Sequence, residues 1–209
     1  MAAVAEFSEL WVKDEDPDAF DARLQAAMDA AYAAEPGLIA WLAHRDLKAA
    51  DHLVVYKLFR DEAARGRHGA SGGGDTGPAG VVTTGLMAAH SPIRHVTAPD
   101  SPVAIFVQCR VDDPQAFDPS MTGHVGRTLA NEPGCLAFGW HRDPENPPAV
   151  QLFELYASRD ALSEHRRSEH LAFFRGESEH LMLEAKIHYA ALAIHTPLDR
   201  LLGYFGRAG

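Results

Sequence analysis

The stretch from Asn131 to His170, NEPGCLAFGWHRDPENPPAVQLFELYASRDALSEHRRSEH, decides how the chain is read. Asn131-Glu132-Pro133-Gly134 predicts a turn, because the residue before proline is driven out of the α region and the glycine reaches φ > 0 without penalty. A strand is expected from Cys135 to His141, then a Pro-rich hairpin, then a second strand from Ala149 to Ala157 that alternates about an acid, Glu154. The following helix, expected from Arg159 to about Phe174, carries His165 and His170.

The same pattern occurs upstream at a constant offset of 97 residues. Glu35-Pro36-Gly37 recurs as Glu132-Pro133-Gly134, and His44-Arg45-Asp46 as His141-Arg142-Asp143. Asp16-Pro17 with Ala19-Phe20 recurs as Asp113-Pro114 with Ala116-Phe117, and His68 and Ser71 as His165 and Ser168. So many matched features at one offset indicate a tandem repeat of one unit. We therefore divide the chain into residues 1–95, a degenerate first unit with a glycine-rich insert over 69–80, and residues 96–209, the better-preserved second.

Each unit reads as β-α-β-β-α-β. Val4–Val12 alternates as a strand with Phe7, Glu9 and Trp11 on one face. Asp16 caps a helix whose stripe is Phe20, Leu24, Met28 and Tyr32, matched in the second unit by Phe117, Met121, Val125 and Leu129. Pro119, Gly123 and Gly126 weaken that second helix and suggest a start at Asp118-Pro119. Strands are expected at 38–44, 53–59, 81–90 and 103–111, a short helix at 60–68, and a last strand at 186–195. Gly72, Gly74 and Gly77 have GxGxxG spacing, but a helix precedes them and Pro78 follows, so a dinucleotide site is rejected. The pattern is α+β, a ferredoxin-like fold with one bare sheet face. In a tandem chain the other repeat covers that face, which closes an eight-stranded barrel. Leu201, Leu202, Tyr204 and Phe205 in the tail are expected to pack on the sheet.

Composition narrows the function. A net charge of −10 without a Lys/Arg block argues against nucleic acid as a partner. Cys109 and Cys135 have no CxxC arrangement, which fits free thiols in a reducing compartment. With no basic-plus-apolar leader and no apolar run of spanning length, no membrane association is expected, and a cytoplasmic location is.

EPGCLAFGWHRDP, the strand with Phe153-Glu154-Leu155-Tyr156, Arg159-Asp160-Ala161-Leu162 and the run His165 to His170 together resemble the antibiotic biosynthesis monooxygenase family. The resemblance covers the second unit almost end to end and the first more loosely. It implies a dimeric α+β barrel, here folded within one chain from two repeats packed sheet to sheet. It also implies a family of cofactor-free oxygenases, haem-degrading enzymes and autoinducer-processing enzymes. Haem-degrading relatives use an Asn on the first strand; here that strand has Gln108, which lowers the haem reading.

The expected function is a cofactor-independent monooxygenase acting on a small aromatic or quinone-type compound with dioxygen, its pocket in the second unit. The alternative is a non-catalytic binding or structural barrel, expected if Phe106, Phe138, Trp140 and Tyr156 fill the cavity. The first unit lacks two of the chemical groups, having Lys57 for Glu154 and Gly73 for His170. Glu154 is either a pocket carboxylate or half of an ordinary charge pair. His165 is either a general base or a histidine that holds the helix in place. His124, Phe138, Trp140, Tyr156 and Tyr189 are candidates for substrate contact. His170, five residues after His165, points some 140° away on a regular helix, so no metal site is expected on that pair. His141-Arg142, which stands beside the hairpin in both units, reads as structural. A further homo-oligomer of the tandem unit is an open possibility of the design.

Overall fold

The computed structural model describes residues 3–12, 15–70, 83–87, 102–143 and 145–201. The first repeat consists of β1 (Val4–Trp11), α1 (Pro17–Ala34), β2 (Leu38–Asp46), β3 (His52–Phe59), α2 (Glu62–Ala70) and β4 (Thr83–Met87). The second has β5 (Val103–Val111), α3 (Pro114–Asn131), β6 (Cys135–Arg142), β7 (Ala149–Tyr156), α4 (Arg159–Arg166), α5 (Glu169–Ser178), a 3-10 turn (Glu179–Leu181) and β8 (Met182–His195). The glycines in GxGxxG spacing, the repeat boundary at 95/96 and the tail beyond Leu201 lie outside the described residues.

The strands form one closed antiparallel barrel in the order β1-β3-β2-β8-β5-β7-β6-β4. Each repeat supplies four adjacent strands, and the two sheets join at both edges. One seam pairs β2 with β8, Leu42 opposite His195; the other pairs β4 with β6, Met87 opposite His141. Closure removes the exposed sheet edges that an isolated ferredoxin-like unit would present.

The alternation of the strands separates three apolar clusters. Phe7, Leu42, Tyr56, Phe106, Phe153 and Ala190 fill the barrel. Outside it, Phe20, Leu24 and Met28 of α1 pack on Leu38, Trp41 and Val55. Phe117, Met121 and Val125 of α3 pack on Phe138, Trp140 and Leu152. Phe106 thus lies on the face of the sheet opposite Phe138, Trp140 and Tyr156, and cannot fill the same cavity as they do.

Polar clamps recur with the repeat. Arg45 donates to the Ala50 carbonyl and to Asp21, and Arg142 in the same way to the Pro147 carbonyl and Asp118. His44 and His141, both enclosed in the barrel, hydrogen-bond through Nδ1 to the Val54 and Gln151 carbonyls. Burial pushes these imidazoles down to about 3 and about 4, so both are neutral. The His-Arg pair is therefore part of the frame.

Gly37 and Gly134 serve close approach of the following helix. A Cβ at Gly134 would stand 2.5 Å from Ala161 Cβ, and one at Gly37 2.5 Å from Ala64 Cβ. Neither partner is the tip of a flexible side chain, so Gly134→Ala should force α4 off the sheet. We expect it to destabilise the fold by about 1–3 kcal/mol in urea titration. An unchanged midpoint would contradict this packing.

Three local expectations are corrected. Asp113 caps α3, its carboxylate accepting from Gln115 and Ala116, so the helix starts at Pro114 and takes Pro119 into its second turn. The helix expected over 159–174 is broken: Arg167 closes α4, and Ser168 caps α5 by accepting from the Leu171 N–H. β8 starts four residues earlier than expected, at Met182.

Candidate functional site

Between the outer face of the second repeat's sheet and helices α3 to α5 lies a cavity of about 130 Å³. Ile105, Val107, Met121, Phe138 and Leu152 give it apolar walls, and Glu154, His165 and His124 bring polar groups to it. Arg166, Arg175 and Tyr189 also border it, the Arg166 guanidinium 4.7 Å from the Tyr189 ring centroid.

Glu154 is buried on β7, and burial raises its carboxyl above the usual range, against the opposing pull of His165 and Tyr156. Its Oε2 accepts a 2.7 Å hydrogen bond from the Tyr156 hydroxyl. Burial and the adjacent carboxylate in turn raise the phenol, so Tyr156 acts as a fixed donor.

His165 is the junction of the site. Its Nδ1 lies 2.9 and 3.0 Å from the two oxygens of Glu132, and its Nε2 3.8 Å from Glu154 Oε2. Burial works against the Glu132 charge, but hydrogen bonds from His165 and His170 hold its carboxyl below the usual range. An ionised Glu132 accepts the Nδ1–H and leaves Nε2 as the acceptor nitrogen, the tautomer a general base requires.

The break between α4 and α5 overturns the expectation for His170. Ser168 restarts the helix, the 140° separation of a regular helix no longer applies, and His170 Nε2 also hydrogen-bonds Glu132. Glu132, His165 and His170 thus bring three donor atoms within 4.8 Å of one another, a set with the chemistry of a divalent-metal ligand group.

The remaining candidates divide. His124, 2 % exposed on α3, stacks on Phe174 at 4.7 Å and meets the Phe138 ring edge-on at 5.4 Å. Burial, then the neighbouring histidines, push it down to about 3, so it is neutral. Phe138 and Tyr189 line the cavity. Trp140 does not; it packs under Phe117, 6.2 Å between centroids, because α3 covers that end of β6. Tyr156 touches the site through Glu154 rather than as lining. Glu132 stands in the turn before β6, where turn chemistry alone gives no sign of its contact with His165. Its signal lies in the repeat, since Glu35 with His68 repeats Glu132 with His165, and His68 Nδ1 lies 2.9 Å from Glu35.

The first repeat differs where the chemistry would be. Lys57, in the place of Glu154, is buried with its ammonium 4.1 Å from the Trp41 ring centroid and 3.7 Å from Glu6. Trp41 in turn replaces Phe138, so a cation–π pair stands where the second repeat has a carboxylate beside a cavity.

The antibiotic biosynthesis monooxygenase family model matches the chain twice, over residues 3–73 and 103–176. The chain belongs to this family. Among solved structures, a candidate monooxygenase from Lactobacillus acidophilus NCFM superposes with a TM-score of 0.78 at 15% identity, over 95% of this chain and 97% of the other. A candidate monooxygenase from Fusobacterium nucleatum gives 0.79 at 14% identity, over 93% and 94%. An anthrone oxidase-like protein gives 0.61 at 12%, over 95% and 94%. At these identities the likenesses establish the shared fold. No curated protein matches the chain. Among the described residues no helix is long and apolar enough to cross a membrane.

Proposed function

We propose that this member of the family is a cofactor-independent monooxygenase for a small aromatic or quinone-type compound, working in the second repeat. One observation carries the reading: His165, its Nδ1 committed to Glu132, shares an apolar cavity with the buried acid Glu154. His165 Nε2 takes the proton of a ring hydroxyl, which raises the electron density that dioxygen attacks. Dioxygen is the oxidant. A ring C–O bond forms, the O–O bond breaks, the two substrate hydrogens leave with the second oxygen as water, and the ring becomes a quinone. Glu154, held by Tyr156, stabilises the imidazolium formed on the way. A cavity of about 130 Å³ is of the order of one aromatic ring.

The test is oxygen uptake by metal-stripped protein with a panel of single-ring hydroquinones and anthrone-like phenols. Consumption of one dioxygen per quinone without added cofactor is the expected result. Failure to turn over any of them would favour a binding barrel, and activity restored only by added metal would overturn the cofactor-free reading.

A further inference from the structure

A second constellation lies at one mouth of the barrel, away from the cavity. Asp46 at the end of β2, His52 at the start of β3 and His188 on β8 converge there. Asp46 Oδ2 is 3.2 Å from His52 Nδ1 and 3.0 Å from His188 Nδ1, and one donor atom from each of the three residues lies within 4.8 Å of the others. Ligands bound at about 2.0–2.2 Å around a tetrahedral cation stand about 3.3 Å apart, so these separations require only small adjustment.

The far nitrogens carry an independent signal. Metal-bound histidines are usually oriented by a carboxylate on their other ring nitrogen. Here Glu9 on β1 reaches both: Oε2 is 2.9 Å from His52 Nε2, and Oε1 is 3.8 Å from His188 Nε2, a buried nitrogen with no hydrogen-bond partner among the described residues. Lys186 holds Glu9 in place through a 2.7 Å contact to Oε1. Trp11 stacks on His52 at 4.3 Å and screens one side.

The cluster is not a feature of the repeat. The clamps that support the frame recur 97 residues on, whereas by sheet register Glu9 and His52 correspond to Gln108 and Ala149. Four ionisable groups gathered at one mouth of the barrel, from strands of both repeats, point to a role the general fold does not demand.

We propose that Asp46, His52 and His188 bind a divalent transition metal, of the class of Zn²⁺, with Glu9 as the positioning carboxylate behind the two imidazoles. Two nitrogens and one carboxylate oxygen suit such ions and leave a position for water. The ion ties β8 of the second repeat to β2 and β3 of the first, across the seam that closes the barrel.

The experiment is calorimetric titration of the chelator-treated full chain with Zn²⁺ alone, repeated with Co²⁺ to record its visible absorption. Zn²⁺ should bind saturably, with affinity falling at least tenfold in Asp46→Asn and in His188→Ala. Glu9→Gln should weaken it about 10–100-fold and alter the Co²⁺ spectrum. His170→Ala should retain the site, which separates it from the Glu132 group. Circular dichroism verifies folding, and His188→Gln replaces His188→Ala if the latter does not fold. Absence of saturable binding, or affinity unchanged in Asp46→Asn and the His188 variant, would overturn the proposal. So would binding lost only in His170→Ala.

Discussion

Replacing His165 with alanine should lower quinone formation at least a hundredfold, about 2.7 kcal/mol of barrier, with KM little changed. The expectation rests on geometry: Glu132 occupies Nδ1, and the remaining nitrogen stands 3.8 Å from the carboxylate lining the cavity. The same substitution also removes a clamp between the turn after α3 and α4, so a loss of rate could follow from loosened structure. His68→Ala provides the comparison. It breaks the equivalent His68–Glu35 contact, 2.9 Å long, in the repeat where Lys57 replaces the acid. If His165 is the base, His68→Ala costs stability and leaves turnover alone. Glu132→Gln should lower the rate as well, because a neutral amide no longer selects the Nδ1–H tautomer. Equal losses of rate in His68→Ala and His165→Ala would reduce both histidines to clamps.

Phe153→Ala should destabilise the whole chain by about 3–5 kcal/mol. Phe153 enters the barrel from β7 and is 3 % exposed. It stacks on Tyr56 of the first repeat at 4.5 Å and 14°, and lies 5.3 Å from Phe106 and 5.6 Å from His44. Its removal empties space that both repeats enclose, and the seams leave neither sheet free to collapse into it. At about 2–4 °C per kcal/mol for a chain of this size, the melting temperature should fall by about 6–20 °C. Near-ultraviolet and far-ultraviolet signals should still change together in urea. If they separate into two transitions, the repeats unfold independently and the barrel is not one cooperative core.

Much of the fold follows from local sequence. Asp16-Pro17 and Asp113-Pro114 start helices, Glu-Pro-Gly ends them, and the stripe every four residues turns each helix to its sheet; these signals act within a few residues of chain. The 97-residue offset then implied two copies of one unit, and the bare sheet face implied that they cover each other. Glu154 with Tyr156 on one face and Phe153 on the other followed from strand alternation alone.

What only the tertiary structure decided is which distant polar groups meet. Glu132 sits in a turn and His170 beyond a helix break, and a period of 3.6 residues applied across Arg167 and Ser168 put His170 on the wrong side. Whether a serine at that point caps a new helix or continues an old one depends on packing of α5 against α3, not on its neighbours in sequence. The assembly of Glu9, Asp46, His52 and His188 is further still from local pattern. Those residues occupy four strands, and their approach is set by barrel closure and by the register of β8 against β2, which pairs Asp46 with Ala190 and so brings His188 to the mouth.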